Sequence, residues 1–159
     1  MGSLWGAYDP VLDRPRPAPP APIAYYRLMY FGEVDAAYRK AAEAAKVAVV
    51  GVAPEARRLA PRLQFFTDAP PTARQPIYHT PGPTFGFVRA RRPRTVWLRT
   101  GLPPADLLHT VAHELGHVVD YAARPLTDDD WTNDPNPERE AAAAAFARRV
   151  LRQLAEGDT

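Results

Sequence analysis

Nineteen of the 159 residues are proline, and their placement limits this chain more than any other feature. A proline inside a helix removes a hydrogen bond and clashes with the preceding turn, at a cost of about 3 kcal/mol or more. Long helices are therefore confined to the stretches that lack it. Residues Glu33 to Val52 form one such stretch. It is alanine-rich, with Glu33, Lys40, Glu43 and Lys46 spaced for one face, and reads as a helix ending near Gly51–Pro54. A short helical turn over Pro54–Leu59 can follow it. The clearest helix opens at Pro103-Pro104 and runs to about Ala123. Proline suits a first turn, where its missing N–H would have no partner. Asn136 can cap a last helix, with Pro137 at its first position, running to about Ala155 and stopped by Gly157.

Between these helices lie three strand candidates, Arg62–Thr67, Phe85–Ala90 and Arg94–Arg99, the last two joined by Arg91-Arg92-Pro93 as a hairpin turn. Asp68–Thr84 is rich in proline and turn residues and reads as loop. Residues 1–31 read as a proline-rich arm and residues 32–159 as the domain. Pro10, Pro15, Pro17, Pro19, Pro20 and Pro22 favour extended backbone in the arm. Its end, Ile23–Phe31, is too apolar for a free tail. It reads as a strand or strap packed on the domain, or as a docking arm for a protein partner. The order of elements predicts an α+β fold: an N-terminal helix, a short, mostly antiparallel sheet and two C-terminal helices.

Composition removes several function classes. With no cysteine there is neither a disulfide framework nor a thiolate metal site, so any metal must be held by the four histidines and the carboxylates. No apolar run reaches the roughly 18 residues of a membrane span, and no signal-peptide pattern precedes the first positive charge, Arg14. A cytoplasmic location is expected, and a virion-associated one is also consistent. The net charge is only +2, and arginine supplies all the basic residues except Lys40 and Lys46. This reads as coding bias and argues against nucleic acid as a partner. Ser3 is the only serine, which removes serine nucleophile chemistry. Asp128-Asp129-Asp130 and Asp134 lack the ligand spacing and the turn glycine of a calcium loop and read as a solvated wall.

Within the clearest helix stands His113-Glu114-Leu115-Gly116-His117, an H-E-x-x-H pattern. Side chains four apart share one helix face, so His113 and His117 can grip one zinc ion. Glu114 is turned about 100° from His113, beside the metal rather than on it. From there it can take a proton from a water that the metal has acidified. Gly116 costs about 1 kcal/mol in a helix interior, which points to a packing or close-approach requirement.

A catalytic zinc usually has three protein ligands and one open position. The candidates for the third are His79, His109, Asp120, Glu138 and Glu140. His109 lies one turn before His113, but three successive turns of one straight helix cannot all reach one tetrahedral centre, so it is at best an outer residue. Asp120 is placed to orient a ligand imidazole. In the last helix, Ala143, Phe146, Ala147, Val150, Leu151 and Leu154 form an apolar stripe. Glu140 lies roughly 50° from its centre and Glu138 roughly 150° away. A carboxylate at the edge of a buried face needs a partner, and a metal supplies one. Glu140 is therefore the expected third ligand. The small side chains of Ala141–Ala145 would let this helix approach the His113–His117 helix closely.

These residues resemble a known family. H-E-L-G-H-V-V-D at 113–120, followed by E-x-x-A-x-x-F-A at 140–147, looks like the gluzincin side of the zincin metallopeptidases. The resemblance is to the catalytic domain of anthrax lethal factor and the Pro-Pro endopeptidases, and also to regulatory metallopeptidases that cleave repressors. It covers roughly residues 94–150. It implies zinc bound by His113, His117 and Glu140, Glu114 as general base and acid, and residues 94–99 as the edge strand lining the cleft. The lethal-factor group carries a tyrosine seven residues before its ligand glutamate. That position is Asn133 here, which leaves the oxyanion stabiliser unassigned; Tyr121 is the only tyrosine between the histidines and Glu140, and Tyr78 and His79 lie upstream. The expected function is a zinc-dependent endopeptidase acting on a peptide or protein. The alternative is a non-catalytic structural or interaction module, such as a phage or assembly component, keeping a vestigial zinc site.

Overall fold

A computed structural model describes residues 26–68, 76–81, 84–125 and 136–157, with backbone alone at 26–28 and 76–81. The elements run β1 (Tyr26–Phe31), α1 (Ala36–Val52), α2 (Pro54–Arg57), β2 (Arg62–Thr67), β3 (Pro76–Pro81), β4 (Gly86–Arg89), β5 (Arg92–Arg99), α3 (Pro104–Ala123) and α4 (Pro137–Gly157). The fold is α+β, as the order of sequence patterns predicts. The Asn136 cap is the one the sequence predicts, while the first helix begins at Ala36, after an Asp35 cap, rather than at Glu33. Asp35 accepts from the Tyr38 N–H at the start of α1, and Asn136 Oδ1 accepts from the N–H groups of Glu138 and Arg139 at the start of α4.

The five strands lie in the order β3-β1-β2-β5-β4. β1 pairs antiparallel with both β2 and β3, β4 pairs antiparallel with β5, and β2 with β5 is the parallel pair. Of the two forms expected for the apolar end of the proline-rich segment, the strand is the one found: residues 26–31 are β1, inside the sheet, so they belong with the domain rather than with the arm. Two other sequence expectations change. Residues 76–81 form β3, within a stretch read as loop. Its terminal prolines suit an edge strand, where one side of the backbone needs no ladder partner. Residues 94–99 are not an edge, since β5 is flanked by β2 and β4, and among the described residues the outermost strand on this side is β4. The arm of residues 1–25, the acidic stretch 128–134 and Asn133 lie outside the described residues.

Alternation along the strands sorts side chains onto two faces. Leu63, Phe65, Val88, Val96 and Leu98 face the helices and join Val111, Leu115, Val118, Phe146 and Val150 in the main core. Met29, Phe66, Phe87 and Trp97 form a second buried cluster on the other face. Tyr38 fastens α1 to the turn before α3. Its hydroxyl donates to the Arg99 carbonyl at 2.6 Å and accepts from the Leu102 N–H at 3.2 Å. No helix among the described residues is long and apolar enough to cross a membrane.

The two C-terminal helices pack antiparallel around Gly116. A Cβ there would stand 2.8 Å from Ala143 Cα and 2.9 Å from its carbonyl oxygen. The close approach anticipated from Gly116 and the alanine run is therefore real, and it is backbone against backbone. A Gly116→Val substitution is expected to push the helices apart and destabilise the protein by about 1–3 kcal/mol, as overpacked cores do. Gly51, also helical, has no atom within 4 Å of its Cβ position, so Gly51→Ala is expected to be neutral or stabilising. Denaturant midpoints of the two variants check both signs, and a neutral Gly116→Val would mean that the helices are not held this tightly.

Candidate metal centre

His113 and His117 project from one face of α3, and Glu140 comes to them from the first turn of α4. Glu140 Oε1 lies 3.2 Å from His113 Nε2, and Oε2 lies 2.7 Å from His117 Nε2. The imidazole centroids are 5.1 Å apart and the rings nearly perpendicular, at 77°. One potential ligand atom from each residue falls within 4.8 Å of the others, so the three can hold a metal ion. Two ligands at zinc-like bond lengths on a tetrahedral ion stand about 3.3 Å apart, so modest side-chain rotation would open this cluster to one. Burial differs among the donors: the His117 side chain is 11% exposed, that of His113 23% and that of Glu140 49%. The cluster is thus closed on the helix side and open to solvent along Glu140.

The charges respond to this packing. Hydrogen bonds from His113 and then His117 hold the Glu140 carboxyl well below the usual carboxylate range, against the effect of its partial burial. Burial works to lower the His117 pKa, but the bond to Glu140 and the charges of Glu114, Glu140 and Asp120 together outweigh it, and the net shift is upward. Glu114 behaves oppositely to Glu140. It is buried, and that burial pushes its pKa up despite the two nearby histidines. It stands outside the donor trio, on the side of α3 that faces β4. There Gly86 lets the strand come close, since a Cβ on it would lie 3.2 Å from Glu114 Cγ and 2.8 Å from both Thr110 Cγ2 and the Trp97 carbonyl oxygen.

The remaining sequence candidates fall elsewhere. His109 is exposed on α3, one turn before His113, and outside the donor cluster. Glu138 faces outward and meets Arg124 at 3.3 Å. His79 lies on β3, opposite Leu28 in the register, and the described structure does not extend to the side chains of His79 and Tyr78. Asp120 does not orient an imidazole. Its two oxygens accept from Arg124 Nε at 2.9 Å and Arg139 Nη1 at 2.8 Å. The Tyr121 ring is buried, with the Arg139 guanidinium carbon Cζ 4.4 Å from its centroid.

Sequence reasoning missed Arg139 altogether. The signal was present: position 139 lies four before Ala143 and seven before Phe146, on the apolar stripe itself. A charged residue on a buried stripe asks for a buried partner, and Asp120 is that partner. Gly86 left no comparable mark, because its importance comes from packing across the sheet. No family model, curated protein or solved structure matches the chain.

The raised Glu114 pKa fixes the sign of a pH effect. Where a folded-state carboxyl resists ionisation, the unfolded chain binds fewer protons than the folded one above the ordinary carboxylate pKa of about 4.3, and stability falls as pH rises. Glu114→Gln removes this loss. With metal stripped, the variant is expected to melt at a higher temperature than wild type near pH 7 and at the same temperature near pH 3. Thermal scans at both pH values test this, and a lower melting temperature near pH 7 would show that the Glu114 charge is stabilised where it sits.

Proposed function

We propose that this chain is a zinc-dependent peptidase, with His113, His117 and Glu140 as the zinc ligands and Glu114 as the general base. The supporting observation is the juxtaposition of a three-donor cluster with a buried carboxylate that is not part of it. Two imidazoles and one carboxylate suit zinc, and three protein donors leave room for a fourth. Zinc in such a site polarises a carbonyl and brings the pKa of water toward neutrality. Glu114 takes the proton from the attacking water and returns it to the leaving amine nitrogen. Burial favours that role, because a carboxylate with raised proton affinity is a stronger base than a solvated one.

The topology also changes where a substrate would lie. Among the described residues β4, not residues 94–99, is the edge strand on this side, and it passes Glu114 at Gly86. An extended peptide added as a strand beside it would run alongside the donor cluster.

Two measurements on one preparation test the proposal. Protein purified without chelator is expected to carry about one zinc per chain, and less than about 0.2 would sink the metal assignment. Cleavage of a peptide library is expected to fall by about 100-fold or more in Glu114→Gln with zinc content retained. Full zinc with no cleavage by the wild type would instead favour a non-catalytic module with a structural or vestigial metal.

A further inference from the structure

We propose that Arg139 is the positioning residue that sets Glu140 within reach of His113 and His117, through its buried ion pair with Asp120. The inference rests on the metal reading above and assigns work to residues that do not touch the donors.

Arg139 is 4% exposed, although it carries a charge. Its guanidinium donates from Nη1 to Asp120 at 2.8 Å and from Nη2 to the Pro125 carbonyl at 3.2 Å. The same group lies over the Tyr121 ring. All three contacts belong to the last turn of α3 or the residues just after it. Arg139 therefore anchors the first turn of α4 to the end of α3. The next residue along, rotated about 100° and advanced about 1.5 Å, is Glu140. Its half-exposed side chain is not boxed in by packing. Its reach back to His117 and His113 is set mainly by where the first turn of α4 is held.

The apolar contacts of α4 cannot do this alone, because they begin at Ala143 and continue through Phe146, Ala147 and Val150, beyond Glu140. Arg139 is the buried residue of the first turn, and its contacts hold α4 one turn before Ala143. Positions 113, 117 and 120 share one face of α3, so the donor contact and the anchoring contact lie along the same seam. A buried ion pair of this kind adds little net stability, because desolvation offsets attraction, but it defines geometry.

The test measures metal affinity and coordination rather than turnover. Zinc dissociation constants are read by competition with a chromophoric chelator, and coordination by the visible spectrum of the cobalt-substituted protein. Arg139→Met is expected to weaken zinc about 10–100-fold, the usual effect of removing a residue that orients a ligand. Its cobalt spectrum should move toward that of Glu140→Gln. Removing a cation from beside a metal site would by itself favour the metal, so a weaker affinity reports lost geometry rather than lost charge. Arg139→Lys keeps a donor for Asp120 and should recover most of the affinity. Because Arg139→Met alone leaves Asp120 under-compensated, Asp120→Asn/Arg139→Met is measured beside it. Removing both buried charges should restore much of the thermal stability while zinc remains at least about tenfold weaker.

Wild-type zinc affinity and a wild-type cobalt spectrum in folded Arg139→Met, or their return together with stability in the double variant, would overturn the proposal. A wild-type protein that takes up neither metal would overturn the metal reading itself, and this inference with it, before any variant is compared.

Discussion

The approach of α4 onto α3 at Gly116 is the constraint on which the rest depends. Only a residue without a Cβ can bring Ala143 this near, and glycine in mid-helix costs about 1 kcal/mol relative to alanine. That cost is offset by burial of Ala143, Phe146, Ala147 and Val150 against the sheet-facing core. The gain for the site is distance. At ordinary helix separations of 8–10 Å, side chains at the contact fill the gap between the axes. Here the gap is closed by backbone, and a glutamate at the edge of the seam can span it to two imidazoles. Moving the helices apart by the width of one methyl group would draw Glu140 away from both.

Charge is arranged around the seam in two different ways. Glu140 with the two histidines is partly exposed, and each member has a partner. Asp120 and Arg139 are both buried and satisfy each other, with Arg124 and the Pro125 carbonyl taking further hydrogen bonds. Glu114 differs from both sets. It is buried, its proton affinity is raised, and the histidines nearby compensate it incompletely. The first two arrangements shape the seam, while the third stores unfavourable electrostatics within it.

Much of this was legible because it is local. Proline positions at 103, 104 and 137 mark helix starts, Asn136 reads as a cap, and the i,i+4 spacing of His113 and His117 needs nothing beyond helical geometry. Glu140 was legible for the same reason, as a position relative to an apolar stripe. What escaped was either non-local or disguised. β3 carries Pro76 and Pro81, and only its place at the edge of the sheet makes them tolerable. The edge role of β4 follows from β5 pairing in parallel with β2, a long-range choice that hairpin signals do not encode. Asp120 was read toward the histidines because they are close along its own helix. It is held instead by Arg124 at the end of its own helix and by Arg139, a residue of another helix whose place on the apolar stripe sequence reasoning missed.

Glu114 bears on what kind of metal site the donor cluster would make. Holding an ion would use His113, His117 and Glu140, and nothing in that task calls for an acid at position 114. A leucine or alanine there would pack under β4 without the desolvation penalty, and Gly86 would not have to leave room for a carboxylate. A purely structural site thus gains nothing from Glu114 and carries its cost. A hydrolytic site gains a base whose proton affinity is raised by the same burial that makes it unfavourable, carried on the same helix as the two histidines. The peptidase reading gives the buried charge a use, and the structural reading leaves it as an unexplained burden on a domain of this size.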